Sequence, residues 1–194
     1  MWVVTLIDEH MSFARRIVTL ILALTGVLWQ PAVGRAEPPA PSEYLIKAAF
    51  LYNFTRFIDW PAAALTEIAP SLRLCILGED PFGEALDSIR GKSVKGKELV
   101  VERLSSPTNL RRCQVLFISG SERPRLPQVL GAVKDLHVLT VGEMAGFAQA
   151  GGVINFVTAE NRIRLEINPE AARRAGLAIS SKLLSLATVV EDKR

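Results

Sequence analysis

His137 is the only histidine beyond residue 36 of this 194-residue chain, which narrows the acid–base chemistry open to it. A Ser-His-acid arrangement would rest on that one imidazole, with Asp80 as its best carboxylate, and no Gly-x-Ser-x-Gly elbow supplies a nucleophile. A hydrolase reading therefore depends on His137 and Asp80 alone. Metal chemistry needs several clustered His, Cys or carboxylate ligands, yet Glu79-Asp80 is the only adjacent acidic pair within residues 43–190. Asp80, just before Pro81, is better explained as a helix cap. Neither Gly-x-x-x-x-Gly-Lys-Ser/Thr nor Gly-x-Gly-x-x-Gly occurs. The turn GEDPFG (78–83) would lie at a strand's carboxyl end, where α/β folds bind ligands, but its two carboxylates oppose an anion there. Arg162, Arg164 and Arg173, with Arg174 beside them, form one basic cluster and the candidate ligand-binding set; a solvated charged face is the alternative. No metal or other cofactor is expected.

The scaffold that would hold these groups alternates strands and helices. Tyr44–Trp60 reads as a helix closed by Pro61. Ile46, Phe50, Phe54 and Phe57 lie on one face, and Leu45, Ala48 and Tyr52 on the opposite side. A helix this apolar is either sandwiched in the core or offers a surface to a partner, a second copy of the chain included. Strands are expected at Leu72–Leu77, Glu98–Leu104, Val115–Ser119 and His137–Val141. The expected helices are a short one from Pro81 to Ile89, then Leu126–Asp135 and Glu143–Ala150, with a polar turn region over Lys92–Lys97. Val153–Val157 and Ile163–Ile167 make a hairpin whose second strand alternates apolar and polar residues. Asn168-Pro169 opens a helix ended by Gly176, and Ser180 or Ser181 caps a last one. The fold class is α/β: a single domain, a mainly parallel sheet with flanking helices and an antiparallel C-terminal hairpin.

The first 36 residues belong to another class. Arg15 and Arg16 precede thirteen uncharged, mostly apolar residues, Ile17 to Trp29, followed by Ala32, Gly34 and Ala36. A basic segment, a short apolar stretch and a small-x-small site read as a secretory signal over 1–36 that is cut after Ala36, with Met11 as the better start. The apolar stretch is short of the ~20 residues a spanning helix needs. EPPAPS (37–42) is a Pro-rich tether, and 43–190 is the domain. The whole chain carries a net charge of +3. Without Asp8, Glu9, Arg15, Arg16 and Arg35 it has 20 basic and 18 acidic residues, which implies no nucleic-acid partner.

Cys75 and Cys113 are the only cysteines. In an oxidising compartment they could pair if Leu72–Leu77 and Val115–Ile118 are neighbouring strands; two buried thiols are the other reading.

Ala48-Ala49-Phe50-Leu51-Tyr52-Asn53-Phe54, then Phe57 and Trp60-Pro61, resembles the opening helix of the YfiR-like periplasmic proteins. The likeness continues through the 78–83 turn, Val115-Leu116-Phe117-Ile118, Gly151-Gly152-Val153-Ile154-Asn155-Phe156, Arg164-Leu165-Glu166-Ile167-Asn168 and the run 176–187, in order across 43–190. The resemblance implies a non-catalytic regulator in the periplasm. It would repress a membrane diguanylate cyclase through that enzyme's periplasmic region, lowering cyclic-di-GMP and biofilm formation, with an outer-membrane lipoprotein aiding its release. Other family members serve other membrane sensors, so a small-ligand-binding protein serving a histidine kinase is the alternative. Cys75 and Cys113 match one of two disulfides in the founding member; the second has no counterpart. A repressor needs a surface that favours one state of its target. The candidates are Leu45 and Tyr52 on the first helix, and the corner near Ile167, Leu177 and Ile179.

Overall fold

Glu43–Phe57 forms the first helix, α1, with Glu43 in its first turn and Arg56 in its last, both favourable to the helix dipole. The computed structural model describes residues 43–62, 64, 71–160 and 162–193, all within the unit Pro41–Arg194. The expected signal and tether lie outside the described residues.

α1 buries Lys47, Ala48, Leu51, Phe54 and Thr55, a stripe with 3- and 4-residue spacing. This is not the stripe the aromatic spacing suggests. Ile46 is 39% exposed, whereas Ala48, expected on the outer side, is fully buried. Phe54 instead stacks on Phe156 of the sheet at 5.8 Å between ring centres, with Phe50 beside both. The helix also ends before Trp60. Ile58–Asp59 (β1) turns extended and pairs antiparallel with Ala178–Ile179 (β9), Ile58 opposite Ile179.

The main sheet contains Ser71–Leu77 (β2), Ser93–Val94 (β3), Lys97–Leu104 (β4), Val115–Ile118 (β5), Leu139–Gly142 (β6), Ile154–Ala159 (β7), Arg162–Ile167 (β8) and Thr188–Val189 (β10). Their spatial order is β10-β8-β7-β6-β5-β2-β4-β3. Within this sheet only β7–β8 and β3–β4 pair antiparallel among the described residues, so the expected α/β domain with a C-terminal hairpin is what forms. β5 reads as an unbroken apolar run, and β2 from Leu72 to Leu77 as one interrupted only by Arg73, because both faces are covered. Leu72, Leu74, Ile76, Val115 and Phe117 share a core with α1. Cys75, Leu77, Leu116 and Ile118 share the other core with the second helix, Leu126–Val133 (α2).

Two further elements differ from expectation. The Lys92–Lys97 region contains β3, turned back on β4 through Lys95 and Gly96 at φ 50° and 78°. Positive φ at both positions matches the twist of a tight hairpin, but the polar composition hides it. The Glu143–Ala150 stretch forms turns, not a helix, with Gly146 and Gly151 at φ 78° and 103°. Those turns lay the fully buried Phe147 ring between Gly142 and Gly152. A Cβ on Gly152 would lie 2.1 Å from Phe147 Cε1, and one on Gly142 2.6 Å from Phe147 Cδ2. Gly152→Ala should therefore cost about 3 kcal/mol by overpacking, read as a lower denaturant midpoint at unchanged slope. Phe147→Leu in the same chain should recover part of it. An unchanged midpoint in the single variant would refute this packing.

After β8, Asn168 caps Pro169–Arg174 (α3), its Oδ1 accepting from Ala171 N at 2.9 Å. Ser180 caps the single turn Ser181–Leu184 (α4), its Oγ accepting from Leu183 N. Among the described residues no helix is long and apolar enough to cross a membrane.

Candidate functional site

The two groups on which a hydrolase would depend are separated by the sheet. Asp80 follows the carboxyl end of β2, while His137 precedes the amino end of β6. Because β2, β5 and β6 run parallel, these are opposite edges. Asp80 is also engaged: Oδ1 accepts from Phe82 N at 2.8 Å and Oδ2 from Arg103 Nε at 2.7 Å. It braces the turn into a 3-10 helix, Gly83–Ser88, in place of capping an α-helix. His137 lies outside the strand it was expected to open. Its Nδ1 is 2.9 Å from the Ala175 carbonyl, and its own carbonyl accepts from Trp60 Nε1 at 3.0 Å. Among the described residues no group of three or more His, Cys, Asp or Glu could hold a metal ion.

The chain reverses direction across the sheet at β2, which has β4 on one side and β5 on the other, the place where α/β folds open a ligand crevice. Here the loops after β2 and β5 close on each other. A Cβ on Gly78 would lie 2.4 Å from Ser121 Oγ, and that hydroxyl accepts from Glu79 N at 3.0 Å. The 78–83 turn is thus occupied by the protein's own side chains. The arginine cluster does not converge either. Arg164 pairs with Glu160 at 3.0 Å and Arg173 with Glu170 at 2.5 Å, each on its own local segment, while Arg162 is exposed at the start of β8. Three separately placed charges, two of them neutralised, are a poor anion site.

The candidate partner residues divide by burial. Ile167 is fully buried and Leu177 5% exposed, both within the core shared with α1. The expectation that they form a surface is corrected: Ile167 ends β8, Leu177 follows α3, and both side chains pack into that core. Ile179 is half-buried in β9. Tyr52 is half-buried as well; its hydroxyl donates to the Ser93 carbonyl at 3.1 Å, and Lys92 Nζ sits 5.4 Å from its ring centre. It ties α1 to β3. Leu45 is 39% exposed, and next to it stands Ile46, equally exposed, although its spacing with Phe50, Phe54 and Phe57 predicts a place on their face.

Beneath that pair runs a buried ionic clamp. Lys47 Nζ lies 2.8 Å from Glu143 Oε2 and 2.5 Å from Glu43 Oε1, and Tyr44 presents its ring 4.7 Å away and its hydroxyl to Glu143. Glu43 further accepts from Thr158 Oγ1 at 2.8 Å. Burial opposes the charge on Lys47, but its hydrogen bonds to Glu143 and Glu43 outweigh that and hold its pKa above the ordinary value. The clamp pins the first turns of α1 to the residues after β6 and at the end of β7, so Leu45 and Ile46 are presented on a fixed helix. Nothing in the residue pattern marked Lys47 as a core residue; a lysine inside an apolar helix face, with acids at 43 and 143, is visible as a pair only once the fold joins them.

Three solved structures align with part of the chain. One is a conserved domain protein from Vibrio cholerae O1 biovar El Tor (14% identical, TM-score 0.47, 66% of this chain). The second is described as the ABC domain in complex with L-Trp from Streptococcus pneumonia (10%, 0.46, 66%). The third is a ligand-free, open substrate binding protein with adhesive properties from Clostridium difficile (11%, 0.45, 68%). This chain spans 58% of the length of each. At that similarity they say nothing about function. No curated protein matches the chain significantly. Residues 44–188, nearly the whole described domain, match the family described as YfiR/HmsC-like.

Proposed function

The chain belongs to the YfiR/HmsC-like family, and from that premise we propose that it is a non-catalytic periplasmic protein that represses a membrane-bound diguanylate cyclase through that enzyme's periplasmic region. The match over 44–188 carries this reading. The separation of His137 from Asp80 supports it, because the best acid–base pair in the chain cannot act together. In this account residues 1–36 direct export, 37–42 tether the domain, and the Cys75–Cys113 disulfide suits an oxidising compartment.

Repression requires tighter binding to the inactive cyclase than to the active one. The outer face of α1 at Leu45 and Ile46 is the contact we assign, with Ile179 at the β1–β9 corner, past the other end of α1, as a second candidate. Charged residues there should abolish docking without unfolding the domain, since exposed substitutions usually change stability by no more than about 0.5 kcal/mol. Leu45→Glu with Ile46→Glu should weaken binding to the cyclase's periplasmic region at least tenfold at an unchanged melting temperature; full affinity in that variant would move the interface elsewhere.

Deleting the gene tests the function in the cell. Cyclic-di-GMP should rise and return when the exported chain is supplied in trans. Unchanged cyclic-di-GMP together with altered phosphorylation of a membrane histidine kinase would replace the cyclase with a kinase as the target.

A further inference from the structure

We propose that a cleft of about 510 Å³ between α2, α3 and the turns 143–152 binds a small organic anion that has an apolar body and one hydrogen-bond donor. Its volume falls in the range of small-molecule sites, roughly 300–1,000 Å³. Three features of the lining define the ligand.

The first is charge. Lys134 follows α2, Arg174 ends α3, and Lys193 arrives from the C-terminal segment, which is held across the cleft by Lys193 N donating to the Gln149 carbonyl at 2.9 Å. The one carboxylate in the lining, Asp192, is already used. It pairs with Arg174 at 2.7 Å and accepts from the buried Asn168 amide at 2.6 Å. Among the described residues neither Lys134 nor Lys193 has a side-chain partner, so the cleft carries uncompensated positive charge. The second is an apolar wall of Leu130, Val138 and Val153. The third is Gln149, which lines the cleft and whose Oε1 is buried with no donor among the described residues. A buried amide oxygen normally has a hydrogen-bond donor; Gln149 as a whole is only half-buried, so a turn of its amide toward the cleft would bring this oxygen to a ligand N–H or O–H. Cations, apolar wall and orphan acceptor meet in this cleft. None of them belongs to the α1 surface, so this inference stands apart from the proposed function.

The probe is 8-anilinonaphthalene-1-sulfonate, which has an anionic sulfonate, aromatic rings and one N–H. Its fluorescence is titrated into the full chain at low salt. The account predicts saturable binding at one site that weakens as salt is raised. Gly131 lines the cleft, and a Cβ built on it meets nothing within 4 Å, so the backbone there has room for a side chain and Gly131→Phe is the variant chosen to fill the cleft. That variant should bind at least tenfold more weakly while melting no lower than the parent. Lys134→Glu with Lys193→Glu should lose at least fivefold, and Gln149→Leu about threefold. Arg111→Glu, an exposed change outside the cleft, should bind as the parent does. Absence of saturable binding, or equal affinity in the parent and Gly131→Phe, would overturn the proposal. No cyclase enters the readout, so its failure leaves the regulatory reading intact.

Discussion

Replacing Cys75 and Cys113 together by alanine should lower the free energy of unfolding by about 3–4 kcal/mol, as expected for opening a loop of 38 residues. The melting temperature should fall by roughly 10 °C. The two cysteines are joined, with their Cα atoms 5.8 Å apart, and both are buried in the core shared with α2. Cys75 sits in β2, the strand at which the chain changes direction, and Cys113 leads into β5 beside it. The bond therefore joins the two strands from which the sheet is built outward, and losing it lengthens the unfolded chain's conformational freedom across its centre. Reductant added to the parent should reproduce the variant's loss. Denaturant unfolding checks both, and a difference below about 1 kcal/mol would mean that packing alone holds these strands together.

Lys47→Met should be nearly as damaging, at about 3 kcal/mol, because breaking a buried pair leaves an uncompensated charge. The stranded group is Glu143, whose side chain is 15% exposed; Glu43, at 44%, can turn to water. Glu143→Gln added to Lys47→Met should recover part of the loss, which a double-mutant cycle measures. The same clamp sets a pH dependence. Glu43 is held below its ordinary 4.5 by the Lys47 hydrogen bond first and the Thr158 hydroxyl second. Asp192 is held below 3.8 chiefly by its Arg174 hydrogen bond. Carboxylates with lowered pKa values stabilise the fold above their unfolded values, and that contribution is lost as pH falls through the folded ones. Lys47 is raised above 10.5, so its contribution is complete below that value and lost only as pH rises beyond it. Stability should be level from about pH 5 to about pH 9 and decline below about pH 4, with a shallower acid decline in Lys47→Met.

Much of the fold is legible in the residues, and the failures share a cause. Apolar runs at Leu72–Leu77, broken only by Arg73, and Val115–Ile118 announce strands covered on both faces. Asn168-Pro169 and Ser180 announce helix starts that form as expected. What local pattern cannot show is which neighbour a segment will meet. Ile58–Asp59 leaves the helical pattern because Ala178–Ile179, some 120 residues later, offers it a strand to pair with. The 143–150 stretch has helical spacing, yet Phe147 is accommodated only between two glycines, one of them in β6 and the other just before β7. For the candidate surface the same limit applies: Ile167 and Leu177 look like an apolar corner in the sequence and become part of the core shared with α1. Ile46 looks like core and becomes surface, because burying Lys47 against Glu143 rotates the inner face of α1.

The regulatory account is tested most directly by reconstitution. A membrane diguanylate cyclase from the same cell, the proposed target, would be placed in vesicles with its periplasmic region outward, GTP enclosed, and the chain added outside. The account predicts that cyclic-di-GMP synthesis falls in a saturable manner with added chain, and that Leu45→Glu with Ile46→Glu abolishes the effect. Synthesis that is unchanged at any concentration of a folded, disulfide-bonded chain would contradict it.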